Sequence, residues 1–283
     1  MANSTDPRSN PRWLTIVQYL IVILFTLFAL YPVLRVFTIS LRPGDMLHST
    51  SLALIPENWT LQNYIQLFTQ EDFLLWMRNS SLVSLFTTIL GVGLASTAGY
   101  GFSRYKFKGR ETGLITLITT QMFPLTMLLL PLFIMLVKLK IYDTLIGLVI
   151  AYTATALPFT VWQMKGYYDT IPVSLEEAAR IDGCNEFMAF YRIIFPLAAP
   201  ALVITALFAF MTAWSEYLVA AVLLSDQNLF TLPLGLKQFQ SNFDTQWGLY
   251  AAGALIVSIP VVALFITLSR WLVSGLTLGS VKG

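Results

Sequence analysis

Long apolar runs alternate with short polar intervals along this chain, and six of the runs reach membrane-spanning length. A helix needs about 20 mostly apolar residues to cross a bilayer. The runs lie at about 13–39, 80–102, 113–137, 145–163, 197–224 and 249–273. The pattern predicts an all-α polytopic membrane protein with six transmembrane helices. The first run is long for a signal peptide and lacks a small-residue cleavage site, so it reads as a retained span. This divides the chain into a polar tail (1–12), a membrane domain (13–273) with one polar loop at 169–200, and a second tail (274–283). Between Arg42 and Arg78, with Pro56, Trp59 and Trp76, short amphipathic pieces on the membrane surface are expected. Gly91, Ala95 and Gly99 stand four residues apart in the second run, a spacing that lets helices pack closely.

Composition agrees. Of 283 residues, 56% are hydrophobic and 11% charged, with mean hydropathy +0.70. Soluble domains carry roughly 25% charged residues. A net charge of +2 gives no reason to expect a nucleic-acid partner. The lone cysteine, Cys184, excludes an internal disulfide, and the lone histidine, His48, leaves little for histidine-based metal chemistry. No metal site is expected. Six crossings place both termini on one side. The basic cluster Arg104, Lys106, Lys108 and Arg110, between spans two and three, puts that side in the cytoplasm by the positive-inside rule. The 169–200 loop faces the cytoplasm too.

That loop is the most polar stretch between spans. Ser174 precedes Glu177 by three residues, the spacing of a capping box. Glu176 and Glu177 suit the positive end of a helix dipole. Gly183 stands where a helix ends in a left-handed turn, and Asn185 can cap the next helix. Phe187, Phe190, Tyr191 and Ile194 then form an i, i+3, i+4, i+7 stripe, and Pro196 and Pro200 mark the return to the membrane. Physics alone leaves two readings: an amphipathic loop lying on lipid, or a docking element. The acidic first helix favours docking, because anionic headgroups repel it.

Glu177-Ala178-Ala179, Asp182-Gly183, Phe190, Pro196 and Pro200 resemble the EAA loop of ABC importer permeases. Cys184 departs from that pattern, where the family usually has alanine. Tyr31-Pro32, Ser40-Leu41-Arg42, Asn79-Ser80, the stretch from Ala98 to Arg104, Trp214-Ser215-Glu216 and the C-terminal tail are similar to the carbohydrate-uptake branch. The chain most resembles the six-span permease of maltose and maltodextrin importers. The resemblance implies a type I importer fold. It implies that Glu177, Ala178, Ala179, Asp182, Gly183, Phe187, Phe190 and Pro196 form a coupling helix docked on an ATPase subunit. It implies that Gly279, Ser280, Val281, Lys282 and Gly283 reach between two such subunits. Implied partners are a second permease, two P-loop ATPases and an extracytoplasmic sugar-binding protein, in the bacterial inner membrane.

The chain carries no G-x-x-x-x-G-K-[ST] phosphate cradle. It is expected to be no enzyme and to hold no cofactor, with ATP and magnesium bound in partner ATPases. The spans lack the runs of ionisable residues that mark proton relays. Glu216 is the acidic residue well inside a predicted span, about eight residues or roughly 12 Å from its outer end. It can contact sugar hydroxyls beside the aromatics Trp214 and Tyr217, or make a structural hydrogen bond. Gln121, next to Pro124, and Gln163, near Pro158, can line the path or satisfy a backbone broken by proline. A maltose-type α-glucoside carried by alternating access is the leading expectation. An autonomous secondary transporter or channel, or an importer permease for another sugar or osmolyte, remains as the alternative.

Overall fold

The apolar runs fold as helices because a bilayer offers backbone amides no water to bond, so each must bond within its own segment. The computed structural model describes residues 12–43, 56, 58–240 and 245–278. Among these no strand occurs. His48 and the tail Gly279–Gly283 lie outside the described residues.

The helices are α1 (Arg12–Ser40), α2 (Gln62–Thr69), α3 (Phe73–Arg104), α4 (Arg110–Gln121), α5 (Leu125–Lys138) and α6 (Leu145–Tyr168). There follow α7 (Ser174–Ile181), α8 (Glu186–Ala189), α9 (Phe195–Leu197), α10 (Ala199–Ser215), α11 (Leu218–Leu223), α12 (Leu232–Lys237) and α13 (Trp247–Leu278). Four of them, α1, α3, α6 and α13, are individually long and apolar enough to cross a membrane. Two bent pairs bring the possible total to six.

The third and fifth of the expected spans are the bent ones. α4 and α5 meet at 106° across Met122–Pro124. Proline disfavours helical backbone in the residue before it, and Pro124 itself is extended (ψ 131°). The helix entering the fifth span bends by 77° at Ala198, with Pro200 in the next turn. That span then ends at Ser215, nine residues before the expected Leu224. Glu216 is extended (ψ 127°) and α11 begins afresh beyond it.

Two compact units make up the chain. One holds α1, α2 and residues 239–256. There the Asn63 amide donates to the carbonyls of Ser40 and Arg42, both at 2.9 Å, fixing α2 to the end of α1. α2 is the short piece expected between Arg42 and Arg78.

The other unit is built on α3, α6 and α10. A side chain at Gly99 would bring its Cβ within 2.8 Å of the Met164 Cβ and 2.9 Å of the Lys165 amide nitrogen, so α3 and α6 touch closely there. Gly91 faces α10 instead, with Ala209 at an ordinary 3.6 Å. The small-residue stripe thus serves two neighbours. At the far end of α3, the Asn79 amide donates to the carbonyls of Asn228 (2.9 Å) and Phe230 (3.0 Å), and Ser80 accepts from the Leu232 amide at 2.7 Å.

Candidate functional site

The 169–200 loop folds as two short helices joined at a glycine, as its sequence predicts. Gly183 is left-handed (φ +86°), a conformation that costs an L-residue roughly 1 kcal/mol or more. The Asn185 side chain caps α8 by accepting from the Met188 amide at 2.8 Å. The capping box, in contrast, does not form. The Val173 carbonyl takes the amides of Glu176 (2.9 Å) and Glu177 (3.1 Å), so α7 starts one residue early and Ser174 falls inside its first turn.

The aromatic stripe also divides. Residues Phe190–Ile194 wind as a π turn, closed by the Phe195 amide bonding the Phe190 carbonyl five residues back. The wider turn separates two faces. Phe190 and Ile194 point inward, with the Phe190 ring 4.5 Å from that of Tyr100. Phe187, 73% exposed, stacks outward on Tyr191 and Tyr191 on Phe195. Glu177, Ala178, Asp182, Gly183 and Pro196 are exposed, while Ala179 is buried. Ile181, 87% exposed, extends the outward surface.

The inward side rests on a cluster that the sequence pattern concealed. Glu176 is 3% exposed. The Tyr100 hydroxyl donates to its Oε2 at 2.7 Å, and Arg104 Nε donates to its Oε1. Arg104 Nη2 also donates to the Ile171 carbonyl at 2.9 Å. Ser103 donates to Asp169 at 2.7 Å, and Asp169 pairs with Lys165 at 2.6 Å. Farther out, the Tyr105 hydroxyl donates to Glu186 at 2.8 Å, and Glu186 pairs with Arg180 at 3.3 Å. That hydrogen bond, and burial after it, push the Tyr105 phenol above its ordinary pKa. Arg104 and Arg110 belong to the basic cluster used to orient the chain. In the fold Arg104 clamps the loop, and Arg110 Nε donates to the Phe102 carbonyl at 2.7 Å.

Toward the other end of the same unit, three helix irregularities surround a cavity of about 770 Å³. They are the α4–α5 break, Pro158 within α6, and the break at Glu216. Gln121, Thr155, Thr212 and Glu216 supply polar atoms to its lining, beside Phe123 and several leucines. Gln121 Nε2 donates to the Thr155 carbonyl at 3.0 Å. Glu216 Oε1 accepts from the Val219 amide at 3.0 Å and so caps α11. Of the five path candidates, the fold brings Glu216 and Gln121 together here. Trp214 is buried elsewhere, its indole donating to the Val257 carbonyl at 3.0 Å, and Tyr217 packs in the apolar core. Gln163 lies outside the lining, with Oε1 buried and unbonded.

Residues 87–277 match the family described as "Binding-protein-dependent transport system inner membrane component". The chain belongs to that family. It is a multi-pass permease component of an ABC transporter rather than a catalytic subunit. The chain is 37% identical over 262 residues to the inner membrane ABC transporter permease protein YcjP of Escherichia coli, covering 92% of this chain and 94% of that one. It is 35% identical over 270 residues to the maltodextrin transport system permease protein MdxG of Bacillus subtilis, covering 95% and 96%. It is 32% identical over 286 residues to the arabinooligosaccharides transport system permease protein AraQ of Halalkalibacterium halodurans, along the whole of both. A chain in the crystal structure of a bacterial ABC transporter involved in alginate import shares the fold. Its TM-score is 0.80 at 24% identity, over 93% of this chain and 99% of that one.

Proposed function

We propose that this permease forms one half of an ATP-driven importer for a neutral oligosaccharide, maltose or maltodextrin or a related α-glucoside. It pairs with a second permease and receives sugar from an extracytoplasmic binding protein. Two P-loop ATPase subunits hold the ATP and magnesium, one of them seats the 169–200 loop, and both termini of this chain lie on their side of the membrane. The tail Gly279–Gly283 reaches between the ATPases. ATP binding closes the ATPase pair, the loop moves with it, and the spans turn the cavity outward to take up sugar. Hydrolysis returns the cavity inward. No bond of the sugar is made or broken.

The observation that carries this reading is the outward face of the loop. Glu177, Ala178, Ile181, Asp182, Phe187 and Tyr191 combine carboxylates with exposed large apolar groups. An anionic lipid surface would repel the acids, whereas a basic-rimmed protein groove suits both. For the substrate, the cavity lining includes one carboxylate, Glu216, and no lysine or arginine, which favours a neutral sugar over a uronate. Breaks in transmembrane helices at one depth are also where transporters build substrate sites.

A mild-detergent pull-down of the tagged chain, wild type beside Gly183→Asp, tests the assembly. A P-loop ATPase and a second permease should come with the wild type and be depleted in the variant. Recovery of the chain alone across several detergents would instead favour an autonomous transporter. Uptake into proteoliposomes containing the purified complex and its binding protein, with maltodextrin, arabinooligosaccharide and oligouronate in competition, tests the sugar. Preference for either of the latter two would overturn the α-glucoside assignment.

A further inference from the structure

The two ends of the 169–200 loop are joined to the membrane helices by different means. On the N-terminal side, Arg104 grips the loop twice, through the Glu176 carboxylate and the Ile171 carbonyl. Tyr100 takes the other Glu176 oxygen, and the Ser103–Asp169–Lys165 chain ties the end of α3 to the end of α6. Gly99 lets those helices meet backbone to side chain at the same level. The result is one bonded junction of α3, α6 and α7. Its central ion pair is desolvated, with side chains 9% and 3% exposed. Pulling such a pair apart leaves a charge stranded away from water, so the junction resists shear.

The C-terminal side is built for adjustment. The chain passes through the π turn at Phe190–Ile194 and the 77° bend at Ala198 before α10 begins. Among the described residues no ion pair links the loop to α10. A π turn holds its backbone in a wider ring, and such interruptions are where helices bend.

We infer that Arg104, Glu176 and Tyr100 are the positioning residues that make α3 and α6 travel with the loop, and that the π turn and the Ala198 bend release α10 from that motion. Displacement of the loop is therefore delivered to the α3–α6 pair. α6 carries Ala154, Thr155 and Pro158 into the cavity lining, whereas α10 contributes Thr212. Moving α6 against α10 reshapes the cavity directly. The inference rests on the reading that the loop seats on an ATPase.

The test uses the complex with its ATPase and partner permease in nanodiscs, carrying Cys184→Ser. Spin labels go at Ser174 with Leu90 on α3, and at Ser174 with Met211 on α10, all exposed positions. Between the nucleotide-free and the ATP-vanadate-trapped states, the Ser174–Leu90 separation should hold while Ser174–Met211 shifts. A Ser174–Leu90 shift as large as the other would overturn the inference. Glu176→Gln should broaden the Ser174–Leu90 distribution even with no ATPase present, and should lose most sugar uptake per ATP while the ATPase still co-purifies. Exchanging the charges (Arg104→Glu with Glu176→Arg) should recover part of that coupling. An unbroadened distribution in Glu176→Gln, or unchanged uptake per ATP with the ATPase bound, would also sink it. Failure of wild type to recover any ATPase defeats the seating of the loop. The ATPase-free distance measurement still decides the role of the pair.

Discussion

At the loop end of the α3–α6–α10 bundle, Glu176 uses both carboxylate oxygens, Arg104 reaches three partners, and Tyr168 bonds Ser96 at 3.0 Å. Farther along the bundle, between α3, α6 and α10, the hydroxyls of Ser84, Thr87, Thr153 and Thr205 are buried without any hydrogen-bond partner. Gln163, near the loop end, is an exception to the contrast. Buried polar groups are normally satisfied because an unmet one costs about 1–3 kcal/mol. The same bundle thus closes its loop end with side-chain bonds and leaves several hydroxyls unmet between its helices farther along. A junction that passes on force must be rigid. Helix contacts with unmet hydroxyls are of lower stability, and low-stability regions are the ones that move.

The contrast breaks most readily at its strong end. Arg104→Ala strands the Glu176 carboxylate and should cost about 3–5 kcal/mol, read as loss of thermal stability in detergent. A cost below about 1 kcal/mol would mean that water already reaches the pair. Gly99→Leu should cost about 1–3 kcal/mol by forcing α3 from α6. Gly93 is the control on the same helix, because a Cβ added there would meet nothing within 4 Å. Gly93→Ala should be neutral or stabilising by up to about 1 kcal/mol.

Gly183→Asp comes next, at roughly 1 kcal/mol for the left-handed backbone, but with a larger effect on coupling than on stability. Normal transport by that variant, with the ATPase attached, would show that coupling does not need the hinge. The smallest effect is expected at the unmet hydroxyls. Thr153→Val deletes an unbonded hydroxyl and should leave stability unchanged or raise it by about 1 kcal/mol. A loss comparable to that of Gly99→Leu would abolish the distinction between the two ends.

Much of the candidate site was legible in sequence. Gly183 and Asn185 announce their turn and cap because those functions are local, set by one residue's backbone freedom or side-chain reach. The capping box at Ser174 failed because the turn began at Val173 while Glu176, its neighbour in the motif, turned inward to Arg104. The stripe from Phe187 to Ile194 assumed a constant helical period, which the π turn interrupts. Glu216 was visible as an intramembrane carboxylate, but its role as the cap of α11 depends on a break that no proline announces. Trp214 shares its motif yet points into packed protein.

By itself the sequence determined that this is a membrane protein of several apolar helices, where its one large polar loop lies, and which family it resembles. The first two follow from composition and short-range spacing, and the resemblance from the quoted motifs. The tertiary structure decided which glutamate is buried, which glycine bears the close helix contact, and which path candidates share a cavity. Arg104 and Glu176 are 72 residues apart, and Gln121 and Glu216 are farther apart still. Such pairings depend on how the helices rotate and pack against one another, and on where the bends at Pro124, Ala198 and Glu216 direct their segments.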